Sequence, residues 1–464
     1  MGRLFGTDGV RGKAGEFPLD VTTVRRLGAA LARALRQGEQ PVRFLAGRDT
    51  RESGSWIERE LAFGVASQGG TLTSAGIIPT PAVAYLTPRT GYTAGVVISA
   101  SHNPFEDNGI KVFSGAGEKF TEALEQEVEA IVGDDSWALP DVVSGFLTTV
   151  ASAEVVSRTD NVVEQVDYRS AYVGHLLEIL PPPLRSKELR IVVDCGNGAT
   201  TTVAARVFEE LGLRALCIGC EPDGRNINLG CGSTAPQLLA RTVVSSGSDL
   251  GIAYDGDGDR AIFVDANGSI VDGDAVMLMC AKQMQAEGRL TGDAIVATVM
   301  SNIGLEIALR EAGIGLVRCQ VGDKYVMEEM LRRGVVLGGE QSGHVIFSEY
   351  LFTGDGLATS LNVLRTMAAT GRTLADLASD LTAYPQVLLN LRVHQRVDLK
   401  TIPAVAAVIE RVESQLAGQG RLLVRYSGTE PLLRVMLEGQ DQDEIRRWGQ
   451  EIIDAVKEHV GAAV

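Results

Sequence analysis

The chain has 464 residues, is 45% hydrophobic but only 5% aromatic, and carries 53 glycines, which suits a many-turned α/β protein of about three domains rather than a sandwich or a coiled coil. A formal net charge of −16 argues against nucleic acid or an anionic membrane as the main partner, so an anionic substrate needs locally clustered Arg and Lys. No apolar run approaches the roughly 18 residues of a transmembrane helix, no secretory segment is visible at Met1 to Thr7, and six cysteines in so long a chain make no disulfide framework. The expectation is a cytoplasmic protein.

In chain order, Phe5-Gly-Thr-Asp-Gly-Val-Arg-Gly12 sets Arg11 among glycines, a place where a surface ion pair is the plainer reading. Asp20 predicts a helix cap, with Val24, Leu27, Leu31 and Leu35 three or four apart and an end near Gly38. A strand over 42–46 follows. Three further strands each empty into a polar, Gly-rich or Pro-containing loop: 94–100 before Ser101, 189–193 before Asp194-Cys-Gly-Asn-Gly198, and 250–254 before Asp255. Loops at the carboxyl ends of strands are where open α/β sheets put their sites. The polar stretch 157–167 reads as a linker, and Thr370-Gly-Arg372 opens a helical connector to a last unit of different pattern. That unit is a strand over 422–425, a loop, a strand over 432–437, and a closing helix with Ile445, Trp448, Ile452 and Val456 on one face. The expected units are 1–160, 161–260, 261–372 and 373–464.

Ser101 ends the run Val96-Val-Ile-Ser-Ala-Ser-His-Asn-Pro104. A hydroxyl at the tip of a buried strand is held rigidly and is expected to face outward, which suits a nucleophile or a phosphate carrier. A loop serine bonding its own backbone is the plainer alternative. In Asp255-Gly-Asp-Gly-Asp-Arg260, three carboxylates at alternate positions can fold inward on one cation, and oxygen-only ligands favour Mg²⁺ or Ca²⁺. An EF-hand loop would need Gly where Arg260 stands and Glu where Ala266 stands; a solvated acidic turn is the remaining alternative. Mg²⁺ completes its shell with phosphate oxygens, so the motif asks for a phosphate, and Ser101 can supply one.

In Arg425-Tyr-Ser-Gly-Thr-Glu-Pro-Leu-Leu-Arg434, the Ser427 and Thr429 hydroxyls, the amides around Gly428 and the two arginines form a nest for a phosphate that does not react. No Walker lysine motif or complete GxGxxG occurs, and Gly196-Asn-Gly-Ala-Thr-Thr201 reads as tight strand-to-helix packing. Gly339-Glu-Gln-Ser-Gly-His344 offers Glu340, Ser342 and His344, a weak signal taken alone. Cys217, Cys220 and Cys231 lack a second pair or a spaced His, so buried thiols are expected there rather than zinc.

Together, and in this order from Gly6 to Arg434, these motifs resemble the α-D-phosphohexomutase family. Gly6-Thr-Asp-Gly-Val-Arg-Gly12, Ser99-Ala-Ser-His-Asn-Pro104 and Gln341 are similar to the bacterial branch that handles glucosamine phosphates. Cys319-Gln-Val-Gly-Asp-Lys-Tyr325 departs from that branch, which commonly has Thr first and Arg in place of Lys324.

The resemblance implies three α/β domains and a smaller C-terminal α+β domain around a central cleft. It implies a cytoplasmic isomerase that interconverts glucosamine 6-phosphate and glucosamine 1-phosphate, with a sugar phosphate as partner and a homodimer allowed. Ser101 would be a phosphoserine, and a hexosamine or glucose bisphosphate the intermediate and activator. Asp255, Asp257 and Asp259, with a Ser101 phosphate oxygen, would hold Mg²⁺. Lys111, Arg11 and Arg260 would offset the negative charge, and either Lys111 or His102 would move the sugar proton. Glu340 and Ser342 would grip sugar hydroxyls with His344 nearby, and Arg425, Ser427, Gly428, Thr429 and Arg434 would hold the static phosphate. The alternatives are the same chemistry on glucose or mannose phosphates, a Mg²⁺ phosphatase, and a non-catalytic metal-dependent sugar-phosphate-binding protein.

Overall fold

The structure is a computed structural model that describes residues 4–6, 8–139, 163–182, 189–416, 418–426 and 432–461. It divides into two compact units, one of Met1–Met300 with Leu316–Ser379, the other of Ser301–Gly315 with Asp380–Val464.

The first unit contains three sheets. The largest has seven strands in the order Phe5–Gly6, Gly9–Lys13, Asp107–Ser114, Ala94–Ile98, Arg43–Arg48, Thr71–Ile77 and Glu164–Gln165. Arg43–Arg48 runs parallel to both Thr71–Ile77 and Ala94–Ile98, while Ala94–Ile98 pairs antiparallel with Asp107–Ser114; the continuous apolar run of Ala94–Ile98 is buried. Asp20 caps the helix Val21–Ala34 by accepting from Thr23 N–H, and Val24, Leu27 and Leu31 are buried as their spacing predicts. This sheet reaches past residue 160, because Glu164–Gln165 pairs with the strand Thr71–Ile77. The rest of the expected linker, 157–162, lies outside the described residues.

The second sheet has five strands and ends in Leu250–Tyr254, Ala261–Asp265 and Ile270–Val271. Its last two strands lie beyond the boundary expected at 260. They stay because Ala261–Asp265 returns antiparallel along all five residues of Leu250–Tyr254. The four-stranded third sheet carries Leu337–Gly339 and Val345–Phe347, which flank the Glu340–His344 loop. Gly371 ends the helix Gly356–Thr370 in the left-handed conformation and leads to the short helix Leu374–Ala378.

The C-terminal unit pairs Gln386–Arg392 and Arg421–Tyr426 on either side of Leu432–Glu438. The helix Gln442–Val460 covers this sheet with Ile445, Ile452 and Val456, while Trp448 is half-buried against the same core. The unit begins later than the expected 373 and takes in the distant segment Ser301–Gly315. Glu438 holds that segment by accepting Ile303 N–H at 3.1 Å while it pairs with Arg421 at 2.9 Å.

Asp355 caps the helix Gly356–Thr370 from a buried position, accepting Ala358 N–H at 2.9 Å and Tyr172 O–H at 2.8 Å. Burial pushes its carboxyl up to about 6. A raised folded-state value contributes stability below the unfolded value and loses it as pH rises through about 6. Asp355→Asn keeps one acceptor oxygen for Ala358 N–H, turns its NH₂ toward the Tyr172 oxygen, which can accept it, and removes that loss. Urea unfolding at pH 5 and pH 7.5 is therefore expected to show the variant gaining about 1.4 kcal/mol relative to wild type at the higher pH.

Candidate active site

Ser101 sits in the tight turn after the strand Ala94–Ile98, at φ 54°, a left-handed conformation that non-glycine residues rarely adopt. It does not face outward. Ser101 is 1% exposed, and its Oγ donates to Asp255 Oδ2 at 2.5 Å and lies 3.3 Å from His102 Nδ1. The reason lies in the second sheet, whose strand Leu250–Tyr254 ends against the serine turn. A Cβ on Gly256 would stand 2.5 Å from the Ser101 carbonyl oxygen and 2.7 Å from Ile227 Cδ1. Gly256→Ala is therefore expected to lower stability by about 1–3 kcal/mol, measured by urea unfolding. The Gly196–Thr201 segment supports the same loop, with Ala199 N–H donating to Gly256 O at 2.8 Å.

Asp255, Asp257 and Asp259 are all buried, and one ligand oxygen from each lies within 4.8 Å of the others. Burial and the neighbouring charges of Asp259 and Asp257 push the Asp255 carboxyl well above its usual range. Asp257 Oδ1 and Asp259 Oδ1 are buried with no hydrogen-bond donor among the described residues. Such orphaned oxygens are costly unless a cation meets them, so the trio fits an oxygen-ligated divalent ion. Among the described residues, this trio alone forms a His, Cys, Asp or Glu group able to hold a metal. Cys217 and Cys220 are half-buried rather than buried, and Cys231 is buried; all three thiols are free.

Lys111 is the local counter-charge. Its Nζ donates to Asp257 Oδ2 at 2.8 Å and Asp259 Oδ2 at 3.0 Å, and lies 3.1 Å from Asp8 Oδ2. Against the cost of burial, Asp257, Asp259 and Asp8 hold its ammonium well above the ordinary lysine value. Thr80 also donates to Asp257 Oδ2, at 2.6 Å. Arg260 Nε lies 3.9 Å from Asp259 Oδ1, whereas Arg11 pairs with Asp8. His102 is pulled down to about 4 by burial and by the charges of Arg260 and Arg11, so it is neutral at pH 7.

Arg11, His102, Asp259 and Arg260 line a cleft of about 570 Å³ with Asp8, Asp323, Glu340 and His344. Glu340 Oε1 accepts Gly322 N–H at 3.0 Å. Ser342 is exposed and donates to Glu340 Oε2 at 3.2 Å. His344 is buried, with Nε2 3.4 Å from Asp323 Oδ2.

Asp8, Lys119 and Asp323 escaped the sequence reading. Asp8 binds Lys119 at 2.5 Å as well as Lys111 and Arg11, and Lys119 in turn pairs with Asp323. Asp8 lies inside the glycine motif that drew attention to Arg11, so a signal existed for it. Asp323 likewise lies inside the quoted Cys319–Tyr325 run, whereas Lys119 has no local signal, because its partners are distant in sequence. Lys324, where the loop departs from the related branch, donates to Glu125 Oε2 at 2.9 Å.

In the C-terminal unit, Arg425 and Arg434 are directly opposite each other across an antiparallel pair. Like charges in that register repel, and a bridging anion relieves them. Ser427, Gly428 and Thr429 lie outside the described residues.

Four family profiles match the chain: phosphoglucomutase/phosphomannomutase alpha/beta/alpha domain I at 2–138, domain II at 170–268, domain III at 272–384, and the C-terminal domain at 388–455. The phosphoglucosamine mutase of Syntrophotalea carbinolica is 46% identical, over 99% of this chain and 98% of that protein. The chain belongs to the phosphoglucomutase/phosphomannomutase family. Another member, the phosphoglucosamine mutase of Solibacter usitatus, is 45% identical to it over 99% of both chains. Solved family structures share the fold of this mutase. A phosphoglucomutase/phosphomannomutase family protein of Burkholderia thailandensis has a TM-score of 0.78 at 23% identity, covering 99% of this chain and 98% of its own. The N-acetylphosphoglucosamine mutase of Aspergillus fumigatus, solved in complex with GlcNAc-6P and magnesium, has a TM-score of 0.67 at 18% identity, covering 98% of this chain and 96% of its own. No helix among the described residues is long and apolar enough to cross a membrane.

Proposed function

We propose that the chain is a cytoplasmic phosphoglucosamine mutase, interconverting glucosamine 6-phosphate and glucosamine 1-phosphate through a phosphorylated Ser101 and a bisphosphorylated sugar. The observation that carries this reading is the buried Ser101 hydroxyl, 2.5 Å from Asp255 within a trio of carboxylates. Full-length identity of 44–46% to proteins called phosphoglucosamine mutase favours the amino sugar.

Asp255, Asp257 and Asp259 would hold Mg²⁺, which when bound supplies Lewis-acid stabilisation to phosphoryl oxygens. The orphaned oxygens of Asp257 and Asp259 support that assignment. Ser101 Oγ carries the phosphoryl group to the sugar hydroxyl and recovers one from the other end of the sugar. Arg11 and Arg260, which line the cleft, meet charge that spreads over the transferring group. Lys111 is held protonated by its carboxylates and acts as a fixed positive charge. The neutral His102 ring, close to Ser101 Oγ, and His344 beside Asp323 are the groups placed to carry the sugar proton.

Glu340 and Ser342 bind sugar hydroxyls. Arg425 and Arg434, with Ser427, Gly428 and Thr429, hold the phosphate that does not react. The bisphosphate must turn end for end between transfers, so the site that grips one phosphate must later accept the other. Excluding water during that turn protects the phosphoserine from hydrolysis.

The deciding experiment compares kcat/KM on the 1-phosphates of glucosamine, glucose and mannose. Glucosamine 1-phosphate is expected to lead by about 10²-fold or more, the scale on which paired and unpaired polar contacts differ. Equal or better turnover of the glucose or mannose phosphate would overturn the amino-sugar assignment. Net phosphate release would instead indicate a phosphatase.

A further inference from the structure

Arg51 is 1% exposed, yet all five of its N–H donors have acceptors. Nε donates to Asp49 Oδ2 at 2.8 Å. Nη1 donates to the carbonyls of Pro104 and, at 3.0 Å, of Asp107. Nη2 donates to the carbonyls of Ser101 at 3.1 Å and Asn103 at 2.8 Å. Four carbonyl oxygens of one short turn thus converge on a single buried cation.

Asp49 closes a second path to the same residue. It accepts from Ser99 Oγ at 2.5 Å, and Ser99 Oγ accepts the Ser101 amide at 2.9 Å. The pair therefore grips Ser101 through its amide on one side and its carbonyl on the other. From the second sheet, Asn228 Nδ2 adds donors to the Ser101 and Asn103 carbonyls at 2.9 and 3.2 Å. A left-handed serine persists only where its surroundings over-determine it, and these bonds do so.

We propose that Arg51, held by Asp49, is a positioning residue for phosphoryl transfer. It fixes the Ser101 backbone so that Oγ is aimed at the aspartate trio, and it turns four carbonyl dipoles away from the phosphate they would repel. This inference rests on the phosphoserine reading above. The planar fork of arginine is essential, because a lysine ammonium offers three donors from one point and cannot span four carbonyls and a carboxylate.

The test uses full-length wild type, Ser101→Ala, Arg51→Ala, Arg51→Lys and Asp49→Asn, with folding checked by circular dichroism. The readouts are kcat, KM, the rate at which the phosphorylated enzyme loses phosphate, and rescue by millimolar guanidinium. Arg51→Ala is expected to lower kcat by about 10²-fold with KM within about threefold, because the misplaced group acts on the transition state. Its phosphoenzyme should lose phosphate about fivefold faster, and guanidinium should restore at least about fivefold of the lost kcat. Arg51→Lys should recover little, and Asp49→Asn should cost about tenfold in kcat.

A folded Arg51→Ala enzyme with wild-type kcat, or with a loss that guanidinium leaves untouched while phosphoenzyme lifetime is unchanged, overturns the proposal. If Arg51→Ala does not fold, Asp49→Asn decides: unchanged kcat overturns it and a kcat-only loss supports it. Wild-type turnover by Ser101→Ala would sink the phosphoserine reading instead, and the inference with it. An inactive Ser101→Ala beside a fully active Arg51→Ala would sink only the inference.

Discussion

Ser101→Ala is expected to lower mutase turnover by about 10⁴-fold or more, since it removes the atom proposed to carry the phosphoryl group rather than one that assists it. The substitution deletes one oxygen from a buried site, leaving the surrounding Asp255, Asp49 and Arg51 bonds in place except for the Ser101–Asp255 contact itself. Losing a hydroxyl that donates to a buried carboxylate changes stability by about 1–2 kcal/mol. Binding of glucosamine 1-phosphate, measured by calorimetry, should therefore survive while turnover disappears. Intact-mass analysis should show the addition of about 80 Da on wild-type enzyme and none on the variant. Turnover within about tenfold of wild type would remove Ser101 from the reaction.

The second large effect concerns the metal. Chelation of wild-type enzyme is expected to lower turnover by about 10³-fold, with full recovery on adding Mg²⁺. Asp257→Asn should cost a similar factor and resist recovery by excess Mg²⁺. Asp257 is the informative member of the trio because its two oxygens do different work. Oδ2 receives Lys111 and Thr80, whereas Oδ1 is buried without a donor. An amide there must turn its NH₂ toward either Lys111 or the cation, and both contacts are repulsive. Melting curves give an independent readout. Mg²⁺ at about a hundred times its Kd should stabilise the wild type by about 2.7 kcal/mol, and the variant should show no shift at the same concentration. A variant that Mg²⁺ stabilises as strongly as wild type would place the ion elsewhere.

Much of the scaffold was legible in the sequence because it is locally encoded. The strand Leu250–Tyr254 has the expected bounds, and the strands around Ser101 and Asp194 differ from expectation by one or two residues at their ends. The helix capped by Asp20 and the hairpin bearing Arg425 and Arg434 follow from apolar spacing and side-chain capping, which need no distant partner. Unit boundaries were less legible, since a contiguous reading cannot show that strand Ala261–Asp265 folds back onto Leu250–Tyr254 or that Ser301–Gly315 joins the C-terminal unit. Both depend on pairings across the chain.

The site divides along the same line. By itself the sequence picked out the groups proposed to carry the chemistry: a serine at a strand tip, alternate aspartates spaced by glycine, and arginines flanking a polar loop. Those types and spacings are sufficient because the chemistry of phosphate and divalent cations constrains their ligands. Only the tertiary structure decided what each group faces. It buried Ser101 against Asp255 instead of exposing it, brought Asp8 and Asp323 into the cleft with Arg11 and His344, and paired Asp8 with Lys111 and both acids with Lys119. It also folded Arg51 beneath the serine turn. Electrostatic balance in a buried site is set by distances of 3 to 4 Å between residues that are a hundred or more positions apart, and no local pattern records them.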